Sequence, residues 1–362
     1  MMNILITIGD LNIARGAERV AVNLANAFSE QGHKVELLSF FKGDLNSPFE
    51  ISPSVKLSYI NLFSEENQKK DKNFLYRFYI KNFYKIFLSY KIKTMYPEVD
   101  FIISNSSNYF PYFKNKNTRY IAIQHMLATQ GSKRNKLYDA LVILSSKELK
   151  IWQNFYKCVV VIPNFIPHIP NLNTNLKQKQ VIAVGKLSKE KGFNRLIEIW
   201  NLLAQDENFK QEFRQWKLII VGDGKLKEDL EKQIRDLNLE KNIILKPFTK
   251  EVEKEYLNAS IYTLSSHFES FGMVLAEASS FALPCIAFDV KTGPSDIIEN
   301  EKTGFLVQDD DLQDFAQKLK LLMKDESLRE KFGKNAKEKI KKEFSKEVVL
   351  KKWEELFKNL KA

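Results

Sequence analysis

Short apolar runs alternate with amphipathic segments along the whole chain, and this alternation restricts the fold more than any other feature. Residues 3–8, 35–40, 55–61, 100–105, 119–124, 140–144 and 159–163 read as strands in the first half. Residues 181–187, 216–221, 243–247, 261–264 and 284–289 repeat the pattern in the second half. Helical periodicity fills the spaces over 17–31, 195–213, 225–237 and 272–282, and it returns over 312–324 and 327–360 in a basic tail. A β-loop-α-β order of this kind predicts parallel sheets with crossover helices, so the fold class is α/β with two doubly wound halves. At 362 residues each half has room for its own core. The stretch 164–180 has no periodicity, carries Pro167 and Pro170 with Pro163 at its edge, and reads as the linker. The expected domains are 1–165 and 180–342, with a helix over 343–362 packing back toward the first and closure about the linker.

The remaining bulk features bound the chemistry. The first residues lack a charged n-region and a cleavage site, and no apolar run reaches about 18 residues, so no signal peptide or transmembrane helix is expected. Cys158 and Cys285 lie in apolar runs and read as buried free thiols. A formal charge of +11 points to an anionic partner: phosphates, nucleic acid or an acidic membrane surface. Residues 69–96 concentrate that charge, with eight basic side chains, a single acid and nine interleaved aromatics. At helical spacing Leu75, Tyr79, Phe83, Ile86 and Tyr90 form one apolar stripe, while the other side mixes Arg77, Lys81, Lys85 and Lys91 with Phe74, Tyr84 and Leu88. Such a helix can lie on an anionic membrane or over a lipid-linked substrate. It can equally pack its extra aromatics within its own domain. No nucleic-acid-binding motif accompanies it, so nucleic acid is not expected as a partner.

The chemistry gathers in loops at the carboxyl ends of strands, the edge where open α/β sheets bind ligands. The stretch 265–278 places Glu269 and Glu277 around Phe271-Gly272-Met273-Val274, where a strand passes into a helix. A helix end bared by glycine attracts anions through its unpaired N–H groups and its dipole, and nearby carboxylates can take the hydroxyls of a polyol. In 185–192, Gly185 and Gly192 flank Lys186 and Lys191, cations able to counter a diphosphate without the spacing of a Walker loop. The turn Gly222-Asp223-Gly224 reads as architectural. In the first half, Arg15, Gly16 and Arg19 stand at another helix start, without the dinucleotide fingerprint, and His125 ends a strand. Asp309-Asp310-Asp311 contains D-x-D but precedes an amphipathic helix and reads as an N-cap, so no metal is expected.

Taken in order, these loops resemble the retaining glycosyltransferases of family 4. The resemblance covers nearly the whole chain and is strongest over 185–192, 222–224 and 262–307, with Thr292-Gly293-Pro294-Ser295-Asp296 and Thr303-Gly304-Phe305 included. The E-x7-E spacing of Glu269 and Glu277 is its characteristic feature. The resemblance implies the GT-B fold, two Rossmann-like domains facing a central cleft, and a metal-independent hexosyltransferase that needs no cofactor. It further implies that Glu269 holds hydroxyls of the donor sugar and Glu277 those of the ribose. Backbone N–H groups of Phe271, Gly272 and Met273, with Val274 beside them, would bind sugar or phosphate. Lys186 and Lys191 would neutralise the leaving diphosphate, and Phe248-Thr249 would lie beside the nucleobase. His125 would touch the transferred sugar, and the Gly16 loop with Arg15 and Arg19 the phosphates or acceptor. Two departures stand out: Lys186 replaces the usual Arg, and Arg15-Gly16 replaces a glycine pair.

The expected partners are a nucleotide-sugar donor, UDP-linked, and a glycolipid or oligosaccharide acceptor. The expected location is cytoplasmic, peripheral at the inner face of the cell membrane. A nucleotide-sugar epimerase or hydrolase on the same fold, and a non-catalytic basic binding protein, remain as alternatives. The glutamates read as ligand holders, not as the pair of carboxylates about 5 Å apart that a retaining hydrolase uses.

Overall fold

The computed structural model describes residues 1–13, 16–42, 47–61, 83–106, 108–125 and 136–362. They form two compact units, Met1–Pro167 with Val349–Ala362, and His168–Val348. The first is built on a seven-stranded sheet. Its strands are β1 (Asn3–Asp10), β2 (Lys34–Phe41), β3 (Lys56–Asn61), β4 (Phe101–Ser104), β5 (Arg119–Gln124), β6 (Ala140–Ile143) and β7 (Val159–Val161). Their order is β3-β2-β1-β4-β5-β6-β7, and every pairing is parallel. Both faces of such a sheet are covered, which is why Ile4, Leu5, Ile6, Thr7 and Ile8 of β1 form an unbroken buried run. Helix Gly16–Glu30 covers it with Val20, Leu24 and Phe28. The closing helix Lys346–Lys361 adds Phe357 against Phe101, ring centroids 4.3 Å apart, and its end is tied by Lys361 to Asp100 at 2.6 Å.

The second unit repeats the plan with β8 (Gln180–Val184), β9 (Lys217–Val221), β10 (Ile243–Lys246), β11 (Ile261–Leu264), β12 (Cys285–Asp289) and β13 (Gly304–Gln308). The order is β10-β9-β8-β11-β12-β13, again parallel throughout. Helix Phe193–Gln205 buries Leu196, Ile197, Ile199 and Trp200 in a core shared with Phe288, Phe315 and Leu319.

Several sequence expectations change. The helix expected over 195–213 breaks into Phe193–Gln205 and Lys210–Phe213, because Asp206 leaves the helix and its carboxylate pairs with Lys320. The tail helix over 327–360 is two helices, Glu326–Glu343 and Lys346–Lys361, parted at Phe344 and Ser345. Edge strand β13 was not expected as a strand; it is five residues long and opens on a glycine. Cys285 is buried, but Cys158 is only half-buried. The apolar stripe of the basic aromatic segment is also reassigned. In helix Tyr84–Met95 the packed face is Tyr84, Leu88 and Ile92, whereas Phe83, Ile86, Phe87 and Tyr90 are exposed. A helix apolar on two sides does not declare which side packs; here the aromatic floor of Phe41, Tyr109 and Tyr120 decides it. Leu75 and Tyr79 lie outside the described residues.

Much of the stretch expected as linker is strapped to the second unit. Lys337, 7% exposed, donates to the carbonyls of Pro170 at 2.6 Å and Leu172 at 3.1 Å, and to Asn173 Oδ1 at 2.7 Å. Arg329 donates to the Leu176 carbonyl from two nitrogens, at 2.9 and 3.1 Å. Burial lowers the pKa of both cations, so their charge is held by these acceptors. Replacing Lys337 with Met keeps the aliphatic stem and removes all three donors. The three hydrogen bonds to a charged group, each worth about 1.5–3 kcal/mol, are offset in large part by the cost of burying the ammonium, so Lys337→Met is expected to lower stability by about 2 kcal/mol in urea denaturation. A loss below about 0.5 kcal/mol would show that the strap is held by packing alone.

Candidate active site

A parallel sheet sends every loop that follows a strand to the same edge. In the second unit that edge gathers residues 185–192 after β8, 222–224 after β9, 247–249 after β10, 265–272 after β11 and 290–293 after β12. Strand order reverses between β8 and β11, so the loops 185–192 and 265–272 flank the crevice of a topological switch point. Lys191 and Glu269 meet there. Lys191 Nζ donates to Glu269 Oε1 at 2.5 Å, and the Ser266 hydroxyl donates to the same oxygen at 2.7 Å. Glu269 is 9% exposed, so the pair is largely sheltered from water. The Thr292 hydroxyl donates to the Glu269 carbonyl, which fixes the backbone as well as the side chain. Further bonds join the two loops: His267 N–H to the Glu190 carbonyl at 2.8 Å and the Ser265 hydroxyl to the Lys191 carbonyl at 3.1 Å. Lys186 stands exposed at the end of β8.

Gly272, at φ 86° and ψ 54°, turns the chain into helix Met273–Ser280. This left-handed conformation favours glycine, and the residue has no side chain to cap the helix. The first N–H groups, those of Met273 and Val274, therefore have no intrahelical partner. The Phe271 ring turns inward, 2% exposed and edge-on to Phe344, leaving its backbone at the turn. Glu277 lies further along this helix, 7% exposed, and accepts from the Tyr256 hydroxyl at 3.4 Å. Burial first, then Cys285, Glu269 and Glu277, push the Tyr262 phenol well above its usual pKa; both carboxylates therefore bear on one buried ring.

The Gly-Asp-Gly turn shapes the site from beneath. A Cβ on Gly222 would lie 1.9 Å from the Gly185 carbonyl, so only glycine lets the two backbones touch. The Asp223 carbonyl accepts from Leu187 N–H and its carboxylate from Phe248 N–H, both at 2.9 Å. Phe248 is thereby tied to the turn with its ring 59% exposed, and Thr249 accepts from Glu251 N–H at 3.0 Å.

In the first unit the switch point falls between β1 and β4. Gly16 opens helix Gly16–Glu30 after β1, exposed, with Arg19 on its first turn; Arg15 lies outside the described residues. Asn105 follows β4 and is 5% exposed. His125, after β5, lies 2.8 Å from Asn105 Oδ1 through Nε2. Burial lowers the imidazole pKa to about 4, so the ring is neutral at neutral pH and donates its Nε2 proton to the amide oxygen.

Four contributors take their roles only from the structure. Ser266 was inside the singled-out stretch but given no role. Thr292 reaches Glu269 only because β12 pairs with β11, and Asn105 meets His125 only because β4 pairs with β5. Arg195, on helix Phe193–Gln205, is 3% exposed and bonded to the Ser265 and Ser266 carbonyls. The N-cap expected over 309–311 is supplied by Asp311, which accepts from Asp314 N–H at 2.9 Å.

Residues 165–339 match the family model described as Glycosyl transferases group 1. The chain is 28% identical over 377 residues to the amylovoran biosynthesis glycosyltransferase AmsD of Erwinia amylovora, covering 98% of this chain and 99% of that one. It is 27% identical over 360 residues to the GalNAc-alpha-(1->4)-GalNAc-alpha-(1->3)-diNAcBac-PP-undecaprenol alpha-1,4-N-acetyl-D-galactosaminyltransferase of Campylobacter jejuni, covering 94% of each. Among solved structures, a mutant of S. aureus TarM in complex with fondaparinux, alpha-GlcNAc-glycerol and UDP superposes with a TM-score of 0.80. Identity is 19%, over 99% of this chain and 100% of that one. With two doubly wound parallel-sheet units of the GT-B type, and a group 1 match spanning the loops of the second unit, the chain is a glycosyltransferase.

Proposed function

We propose that the chain is a retaining transferase that moves a sugar from a UDP-linked donor to a lipid-linked or surface-glycan acceptor. The observation that carries this reading is the Lys191–Glu269 pair at a switch point, beside a helix end that Gly272 leaves uncapped. A ligand suited to it brings hydroxyls for the carboxylate and phosphate for the lysine and the N–H groups. Glu269 would hold donor-sugar hydroxyls, Glu277 the ribose, and Phe248 with Thr249 the base. His125, Gly16, Arg15 and Arg19 would serve the transferred sugar and acceptor from the first unit.

The energetic problem in such a transfer is the negative charge that grows on the leaving oxygen. Lys186, Lys191 and the dipole of helix Met273–Ser280 are positive ends that can oppose it. UDP as nucleotide is supported by the TarM complex, and a polyprenyl-linked acceptor by the Campylobacter relative. Exposed Phe83, Ile86, Phe87 and Tyr90, with Lys85, Lys91 and Lys93 on the same helix, suit contact with an anionic bilayer that carries such an acceptor.

Glu269→Ala or Lys191→Ala is expected to lower turnover by roughly 10²–10³-fold with an unchanged far-UV spectrum. A thermal-shift panel of nucleotide sugars identifies the donor for that assay, and full activity in either variant overturns the reading. Co-sedimentation with vesicles containing anionic lipid is expected for the wild type and reduced for the Phe87→Ser, Tyr90→Ser double variant; equal binding by both removes this helix from the membrane contact. His125 gives a pH test. Its folded pKa lies near 4, below the usual 6.5, so the unfolded chain takes up the proton first as pH falls. The stability from the neutral ring is fully present above pH 6.5 and is lost toward pH 4. His125→Gln, which cannot titrate, is expected to show a shallower fall in melting temperature over that window, and parallel curves would refute the assignment.

A further inference from the structure

Arg195 carries a full charge while 3% exposed, and its guanidinium is occupied on every side. Nε donates to the Ser265 carbonyl at 2.6 Å, and one terminal nitrogen donates to the Ser266 carbonyl. The other reaches Asp309 at 2.8 Å and Asp310 at 2.7 Å. The guanidinium lies over the Phe288 ring, 3.9 Å from its centroid. Segments that follow β11 and β13 thus converge on one side chain from the segment after β8, with a β12 ring as its floor. Two successive carbonyls gripped by a planar fork are fixed in direction as well as position, which an ammonium would not achieve.

Those two carbonyls belong to the residues that hold the Lys191–Glu269 pair. The Ser266 hydroxyl bonds the Glu269 carboxylate, and the Ser265 hydroxyl bonds the Lys191 carbonyl. Gly192 completes the fit, since a Cβ there would lie 2.2 Å from the Ser265 carbonyl and 3.0 Å from Arg195 Nε. We infer that Arg195 is a positioning residue for the donor site: it holds Ser265 and Ser266 so that Glu269 meets the sugar in one place. The inference rests on the donor-holding reading of Glu269. Asp309 and Asp310, with side chains 43% and 74% exposed, neutralise the arginine from the solvent side.

The test measures Kd on the full chain for UDP and for UDP-glucose, UDP-galactose, UDP-N-acetylglucosamine and UDP-N-acetylgalactosamine. The ratio of the tightest sugar nucleotide to UDP reads what the sugar contributes. In Glu269→Gln that ratio is expected to fall about tenfold, the size of one charged hydrogen bond. Arg195→Lys keeps the charge without the fork and is expected to lower the ratio to a similar extent, with UDP affinity within twofold of wild type. In the double variant no further fall is expected. An unchanged ratio in Glu269→Gln, or no sugar nucleotide tighter than UDP, overturns the donor-holding reading and the inference with it. A fall in Glu269→Gln with no change in Arg195→Lys overturns the inference alone, as does an additive fall in the double variant. If Arg195→Lys does not fold, the Asp309→Asn, Asp310→Asn double variant replaces it, and an unchanged ratio there also overturns the inference.

Discussion

Parallel pairing is the constraint on which the rest of the molecule depends. It forces every strand to hand its chain to the same edge, and it separates chain neighbours by a whole crossover. Residues distant in sequence then become neighbours where the strand order reverses. Lys191 and Glu269 are 78 positions apart yet share a proton-donor bond. The backbones must also approach closely at that edge, and the contact of Gly222 with Gly185 shows how little room is left. The positions of the polar groups gathered at that edge are downstream of these two facts.

The two units present different chemistry at equivalent edges. The second gathers ions: Lys191 with Glu269, and Arg195 with Asp309 and Asp310. The first presents, besides Arg19, a neutral imidazole against an amide, kept uncharged by burial. Salt will act on the exposed carboxylates around Arg195 more than on the sheltered Glu269, because screening needs solvent.

Legibility in the sequence followed the physics of each element. Doubly buried strands were readable because covering both faces demands continuous apolar runs, as in β1 and β12. The loops 185–192 and 265–278 were readable because glycine and paired charges beside apolar runs have few other uses. What could not be read was whatever depends on a partner chosen by topology. Thr292, Asn105 and Arg195 look ordinary in sequence and take their roles from β11–β12 pairing, β4–β5 pairing and a buried fork. The packed side of helix Tyr84–Met95 was not legible for a related reason: both sides are apolar, and only the sheet beneath selects one. The breaks at Asp206 and at Phe344-Ser345 escaped because neither contains Gly or Pro.

The bond between Lys191 and Glu269 also sets terms of trade for whatever enters. Each group already has a partner, so an incoming molecule must replace that partner on both sides to avoid leaving one charge short. A bare nucleoside diphosphate can take the lysine but lacks the sugar hydroxyls proposed for the carboxylate, which keeps its bond from Ser266. An intact sugar nucleotide can satisfy both. On the proposed reading, cleavage of the sugar would free the carboxylate to compete with the spent nucleotide for the lysine.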